Sequence, residues 1–272
     1  MDALASLLDG PRAQGAFLLR ALFEPPWAVR IEDRAPLSSV AVVRGLAWVV
    51  PDQGDAVALR PGDVAVMRGP DPYTFAGDPA TPPQAVIHPG QRCTTLDGED
   101  LHAAMDLGVR TWGNSPHGTT VLLIGTYQMH SAASQRLLAA LPPTLVLPHE
   151  AWHSPIIALL DDEIVKDEPG QDVVLDRMLD LLLIAVLRGW FSRSEANSPA
   201  WYRANGDPVV GRALRMLHDN PAHPWTVAKL AAKTGVSRAT LARRFTQLVG
   251  EPPMAGNVTV TVAGSCNRVP CL

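Results

Sequence analysis

Between Ala16 and Tyr127 the chain never runs far without a proline, a glycine or an Asp-containing turn, and this punctuation leaves little room for a regular helix. The apolar runs it separates are short. Trp27–Ile31, Leu37–Val43, Leu46–Val50, Val57–Leu59, Val64–Met67, Ala85–Ile87 and Val121–Tyr127 read as strands. Pro51-Asp52, Pro61-Gly62-Asp63, Asp71-Pro72, Pro82-Pro83, Pro89-Gly90 and Asp97-Gly98 read as the turns between them. Short strands at even spacing predict a sandwich or barrel.

The pattern changes after about residue 130. Ser134–Ala140 and Asp172–Phe191 read as helices. In the second, Val174, Met178, Leu181, Leu182, Ala185 and Leu187 form one broad apolar face, opposite Asp176, Arg177 and Asp180. That face is wider than a single contact needs. Packing against the barrel and a subunit interface both account for it.

Ser192–Gly206 is polar and reads as an interdomain linker. A helix then begins with Asp207 at the N-cap and Pro208 in the first turn, with Val210, Leu214 and Leu217 on one face until Asn220-Pro221. The stretch Trp225–Phe245 follows, WTVAKLAAKTGVSRATLARRF. Its spacing suits two short helices joined by a tight turn: Thr226 caps the first, Gly235 permits the turn, and Ser237 caps the second. Leu230, Ala231, Gly235, Val236, Leu241 and Phe245 fall at the packing and turn positions of such a unit. A helix-turn-helix lays its second helix in the major groove of double-stranded DNA.

Charge divides the same way. The whole chain has a formal net charge of −4, yet residues 207–254 hold seven Lys/Arg against three acids, and residues 1–206 are strongly acidic. Such asymmetry is expected when a small basic module is attached to an acidic partner domain, and it agrees with nucleic-acid binding by the module. Three cysteines, Cys93, Cys266 and Cys271, make no disulfide framework. The acidic start, with Asp2 and Asp9, is not a signal peptide, and the longest apolar run, Leu181–Leu187, is far too short to span a membrane. The expected location is the cytoplasm, with no membrane partner.

Leu230-Ala231, Gly235-Val236-Ser237, Leu241, Arg243, Phe245 and Gly250-Glu251-Pro252-Pro253-Met254 resemble the first helix-turn-helix of the AraC/XylS family of transcriptional regulators. The segments LRPGDVAVMRGPDPYTF, HPGQRC and VLLIGTYQMH resemble the cupin-type sensor domain of one branch of that family. The resemblance implies an α+β, multi-domain chain: a cupin-like β-barrel over 1–130, a helical linker over 131–206 that dimerises in many members, and an all-α helix-turn-helix domain over 207–254. It implies base contacts from Ala239, Ala242 and Arg243, of which Arg243 can donate two hydrogen bonds to guanine. Phosphate contacts fall to Lys229, Lys233, Ser237, Arg238 and Arg244, giving affinity without sequence information. The implied partners are promoter or operator DNA, a small-molecule effector and a second copy of the chain. No cofactor, metal or catalytic residue is implied.

The family pattern is not followed to the end. After GEPPM the family continues with an aromatic residue, a long helix and a second helix-turn-helix, whereas residues 255–272 read AGNVTVTVAGSCNRVPCL. A frameshifted or prematurely ended reading frame accounts for this most simply; a C-terminal strand pair is the alternative. On that reading the DNA-binding domain is the first half only, and fewer phosphate and base contacts weaken binding; the alternative is a defective regulator that acts only through dimerisation.

Two features of the sequence resemble enzyme signals. His149-Glu150-Ala151-Trp152-His153 matches the HExxH pattern of zinc peptidases. Pro148 and Pro155 leave little room for the supporting helix, and Glu168 is only a formal third ligand, so a turn matching by chance is expected. A metal-dependent cupin enzyme is the alternative for the barrel. Residues 37–68 contain no histidine, and His88, His102, His117 and His130 are scattered, so no ligand set is expected. Cys93 reads as an ordinary barrel cysteine rather than a redox sensor.

Overall fold

The computed structural model describes residues 17–129, 132–193, 200–220, 223–249 and 252–254. His130 and the tail 255–272 lie outside the described residues. Those that are described fall into two compact units, one running to residue 193 and the other from residue 200. No described helix is long and apolar enough to cross a membrane.

The first unit is built on two sheets. Its strands are β1 (Phe17–Phe23), β2 (Ala28–Ile31), β3 (Leu37–Arg44), β4 (Ala47–Pro51), β5 (Val57–Leu59), β6 (Val64–Arg68), β7 (Tyr73–Ala76), β8 (Ala85–His88), β9 (Arg92–Thr94), β10 (Asp106–Gly108), β11 (Thr111–Gly113), β12 (Thr120–Tyr127) and β13 (Thr144–Leu147). One sheet has the order β10-β11-β1-β12-β3-β6-β13 and the other β5-β4-β7-β2-β8-β9. Pairing is antiparallel except for β1 with β11 and β2 with β8. Between Ala16 and Tyr127 there is one helix among the described residues, the four-residue α1 (His102–Met105).

The core lies between the sheets. Ala21, Phe23, Val40, Val42 and Leu122 from one meet Val29, Val49, Phe75 and Cys93 from the other. Alternation along each strand puts one side-chain set inward, as the period-2 pattern requires. The sandwich-or-barrel expectation and the seven expected strands all reappear here. Strands β1 and β7 escaped the pattern because Arg20 and Thr74 interrupt their apolar runs, although all four residues of Tyr73–Ala76 are buried. Short β9, β10 and β11 carry too few residues to show a period.

Three helices pack outside the sheets: α2 (Ala132–Ala140), α3 (Ile156–Ile164) and α4 (Gln171–Phe191). The buried face of α4 is Leu175, Leu179, Leu182, Leu183, Val186 and Leu187. This is a rotation of the face expected from sequence, since Val174 and Leu181 are exposed. The helix carries two apolar stripes, and the one that fits the barrel is the leucine-rich one.

The expected linker 131–206 is divided by the structure. Strand β13 pairs with β6 and belongs to the barrel sheet. At the other end Ala200–Gly206 forms a helix, α5, whose Ala204 is buried in the second unit's core. A polar, Ser- and Asn-containing composition concealed that helix. The second unit continues with α6 (Val210–Asp219), α7 (Val227–Thr234) and α8 (Arg238–Val249). Val210, Ala213 and Leu214 of α6 pack with Leu230 and Ala231 of α7 and with Leu241 and Phe245 of α8.

Candidate functional site

The α7–turn–α8 unit is assembled by local chemistry. Thr226 accepts a hydrogen bond from the Lys229 N–H at 3.2 Å and so caps α7. Gly235 ends α7 at φ +74°, a left-handed conformation that glycine adopts without a Cβ penalty. Ser237 then caps α8, its Oγ accepting from the Thr240 N–H at 3.1 Å. Leu230, Ala231, Leu241 and Phe245 are buried, and Val236 is half-buried beside them.

The opposite side of the unit faces solvent. Ala239 and Arg243 on α8 are exposed and Ala242 is half-buried. Lys229, Lys233, Ser237 and Arg238 are exposed around them. Arg244 stands apart: its Nη2 donates to Asp207 Oδ2 at 2.6 Å. The other oxygen of Asp207 accepts the N–H groups of Val209 and Val210, at 2.9 and 2.8 Å. Burial raises the pKa of this carboxyl, but the N–H groups of Val210 and Val209 and the Arg244 guanidinium outweigh that and hold it below the usual carboxylate range. One carboxylate therefore caps α6 and ties it to α8. Sequence spacing identified Asp207 as a cap and gave no sign of its second partner, 37 residues away.

The first unit holds a cavity of about 450 Å³ between its sheets. That volume lies in the range of small-molecule sites. Its walls are mostly apolar and include Phe23, Phe75, Trp112, Leu122 and Ile124. Phe23 meets Trp112 edge to face with ring centroids 5.7 Å apart, and Tyr73 meets Phe75 in the same manner at 5.3 Å. Asp33, Gln91, His102, Asp106 and Arg110 supply polar groups. Cys93 also lines the cavity; burial, with Asp100 adding, pushes its thiol up to about 11, so it is a neutral thiol at pH 7. Tyr73, Phe75, Gln91, Cys93, Leu122 and Ile124 fall within the three segments that resemble a cupin sensor domain, whereas Asp33, His102, Asp106 and Arg110 lie outside them. Leu122, Ile124 and Thr126 of β12 line one side of the cavity.

His149–Ala151 forms a single tight turn of 3₁₀ helix in place of a long supporting helix, and the rings of His149 and His153 stand 5.5 Å apart beside it. His149 N–H donates to Asp63 Oδ1 at 2.8 Å and Trp152 Nε1 to the Gly62 carbonyl at 3.2 Å, which clamps the segment onto the Pro61-Gly62-Asp63 turn. Among the described residues no three His, Cys, Asp or Glu side chains converge as metal ligands. His88 bonds Thr94 Oγ1 at 2.9 Å.

Comparison with known proteins gives the same two parts. The cupin family, described as "Cupin", matches residues 2–192. An AraC-like transcription regulator of Streptomyces lividans is 31% identical over 260 residues, which span 93% of this chain and 81% of that protein. The HTH-type transcriptional regulator AlkR of Acinetobacter baylyi is 24% identical over 261 residues, 94% of this chain and 82% of that one. Among solved structures, a ToxT variant of Vibrio cholerae overlaps 88% of this chain and 77% of its own at 8% identity and a TM-score of 0.40, a likeness too slight to build on. With a cupin barrel in its first unit, a helix-turn-helix in its second and relatives of this kind along nearly its whole length, the chain belongs to the AraC-type family of transcription regulators that carry a cupin domain.

Proposed function

We propose that α8 reads the major groove of promoter DNA and that the barrel cavity takes a small effector that governs this binding. The observation that carries the reading is the division of α8 into two faces. Leu241 and Phe245 are fully buried, while Ala239 and Arg243 are exposed on the same helix. Arg243 is the guanine-reading residue, Ala242 lies beside it, and Ala239 offers only a methyl group to a thymine. Lys229, Lys233, Ser237 and Arg238 contact phosphates; Arg244 joins them with the donors that Asp207 does not take.

On this reading the chain is a regulator and not a catalyst, and it works in the cytoplasm. The exposed stripe of α4, with Val173 and Leu181 more than half exposed, is the surface we assign to a homodimer. A gel-shift on the DNA upstream of its own coding sequence tests the DNA reading. Arg243→Ala is expected to lose affinity at one base position, and retained affinity and specificity in that variant would remove the assignment. Sedimentation of Leu181→Asp against the unsubstituted chain tests the dimer; an unchanged association state would count against it.

A further inference from the structure

The cavity's polar groups say which kind of effector it takes, provided that the cavity is the effector site. Asp33 and Asp106 line it, and the single guanidinium among the lining residues belongs to Arg110. That guanidinium is already committed. Its Nη2 donates to Asp172 Oδ1 at 2.6 Å and its Nη1 to the Lys166 carbonyl at 3.2 Å. The two acids are not so matched. Asp33 meets a backbone N–H of Ala35 at 3.0 Å and the neutral amide of Gln91 at 3.4 Å. Asp106 accepts the Gly108 N–H at 3.0 Å. His102 adds an imidazole beside them.

An anionic effector would enter past two carboxylates and find its one cation held by another acid. A cation finds the reverse, and the aromatic walls favour it again. Rings of Phe23, Tyr73, Phe75 and Trp112 accept an apolar body, and their faces attract positive charge. We infer that the barrel cavity takes a hydrophobic amine in its protonated form, with the apolar body against the aromatic walls and the ammonium group directed to Asp33 and Asp106.

Three probes of one shape separate the terms: naphthylmethylamine, naphthylmethanol and naphthoic acid, titrated calorimetrically into the full chain at one ionic strength and pH 7. The amine is expected to bind about tenfold tighter than the alcohol, and the acid weakest. In D33N/D106N the amide oxygens can still accept the Ala35 and Gly108 N–H bonds, so the turns are kept while the charge is removed. That variant is expected to bind the alcohol as before and to lose the preference for the amine. Ile124→Trp fills the cavity and is expected to abolish binding of all three. Binding of the acid or the alcohol as tight as that of the amine would overturn this inference alone, as would an amine preference that survives D33N/D106N. Failure of every probe to bind, or binding indifferent to Ile124→Trp, would overturn the cavity reading with it.

Discussion

Adjacent arginines on α8 are expected to fail in different ways when removed. Arg243 is exposed with its face of α8 toward solvent, so Arg243→Ala leaves the fold alone. If it makes a bidentate contact to guanine, the loss is about 1–3 kcal/mol of discrimination, or about 5- to 150-fold in affinity at that base pair. Arg244 is bound to Asp207, whose side chain is only 12% exposed. Because Arg244 itself is 36% exposed, solvent screens the pair, which we place at about 0.5–1 kcal/mol. Asp207→Ala removes that pair and also the cap on Val209 and Val210, worth about 1 kcal/mol, for a total of about 1.5–2 kcal/mol. Asp207→Asn keeps a capping oxygen and loses only the charge, so it falls between. The pKa of Asp207 is depressed by folding. Its charge therefore stabilises the fold fully above the unfolded value of about 3.9, and this contribution is lost as pH falls from there through the lower folded value. The gap between the unsubstituted protein and Asp207→Asn should be constant near neutrality and close in that acid window. Hydrogen exchange of α6 to α8 gives the local stability, and a gel-shift at fixed salt gives the affinity. Equal loss of DNA binding by Arg243→Ala and Arg244→Ala with no change in exchange, or an Asp207→Ala protein as protected as the original, would refute the division of roles.

Two further predictions concern the barrel. Gly113 has φ +153°, and a Cβ there would stand 1.8 Å from the Leu22 carbonyl oxygen across the β1–β11 ladder, so Gly113→Ala should cost more than about 3 kcal/mol and lower the thermal midpoint accordingly; a melt unchanged by the substitution would contradict the close approach. Burial raises the phenol pKa values of Tyr73 and Tyr127, with hydrogen bonds to Ser38 and Ser39 opposing less strongly. Their stabilising effect is present below about pH 10 and lost as pH rises above it. In an alkaline titration followed at the tyrosinate absorbance band, two of the chain's three tyrosines should therefore ionise only as the barrel unfolds; their ionisation ahead of unfolding would count against this.

How much of this was legible in the sequence depended on whether the chemistry was local. Thr226, Gly235 and Ser237 act within four residues of their partners, so caps and turn could be read directly. The strands of the barrel showed mostly as apolar runs, even where both faces are covered, as in Val64–Met67. Tyr73–Ala76 is just as buried, but its polar Thr74 interrupts the run. Long-range pairings left no trace: Asp207 with Arg244, Arg110 with Asp172, and Arg20 with Asp161 at 2.7 Å each join segments whose order in the chain says nothing of their meeting. The face of α4 was misjudged for the same reason. Both of its stripes are apolar, and only the shape of the barrel selects between them.

Those long-range pairings bear on how occupancy of the cavity could be felt outside it. On β12, Leu122, Ile124 and Thr126 point into the cavity, so Gly125 and Tyr127 must point the other way. Tyr127 Oη donates to the Leu179 carbonyl of α4 at 3.2 Å, and a Cβ on Gly125 would lie 2.7 Å from a Leu179 methyl. The same holds on β1, where Leu19 lines the cavity and Arg20 reaches Asp161 of α3. Arg110 does both at once, lining the cavity while holding Asp172 in the first turn of α4. A one-strand-thick wall with close-packed contacts on both sides cannot yield to a ligand on one face without moving the other. The helix that would receive such a displacement is α4, whose outer stripe of Val173, Val174 and Leu181 is exposed. Tyr127 on β12 and Arg110 are therefore the two contacts through which a filled cavity would bear on α4.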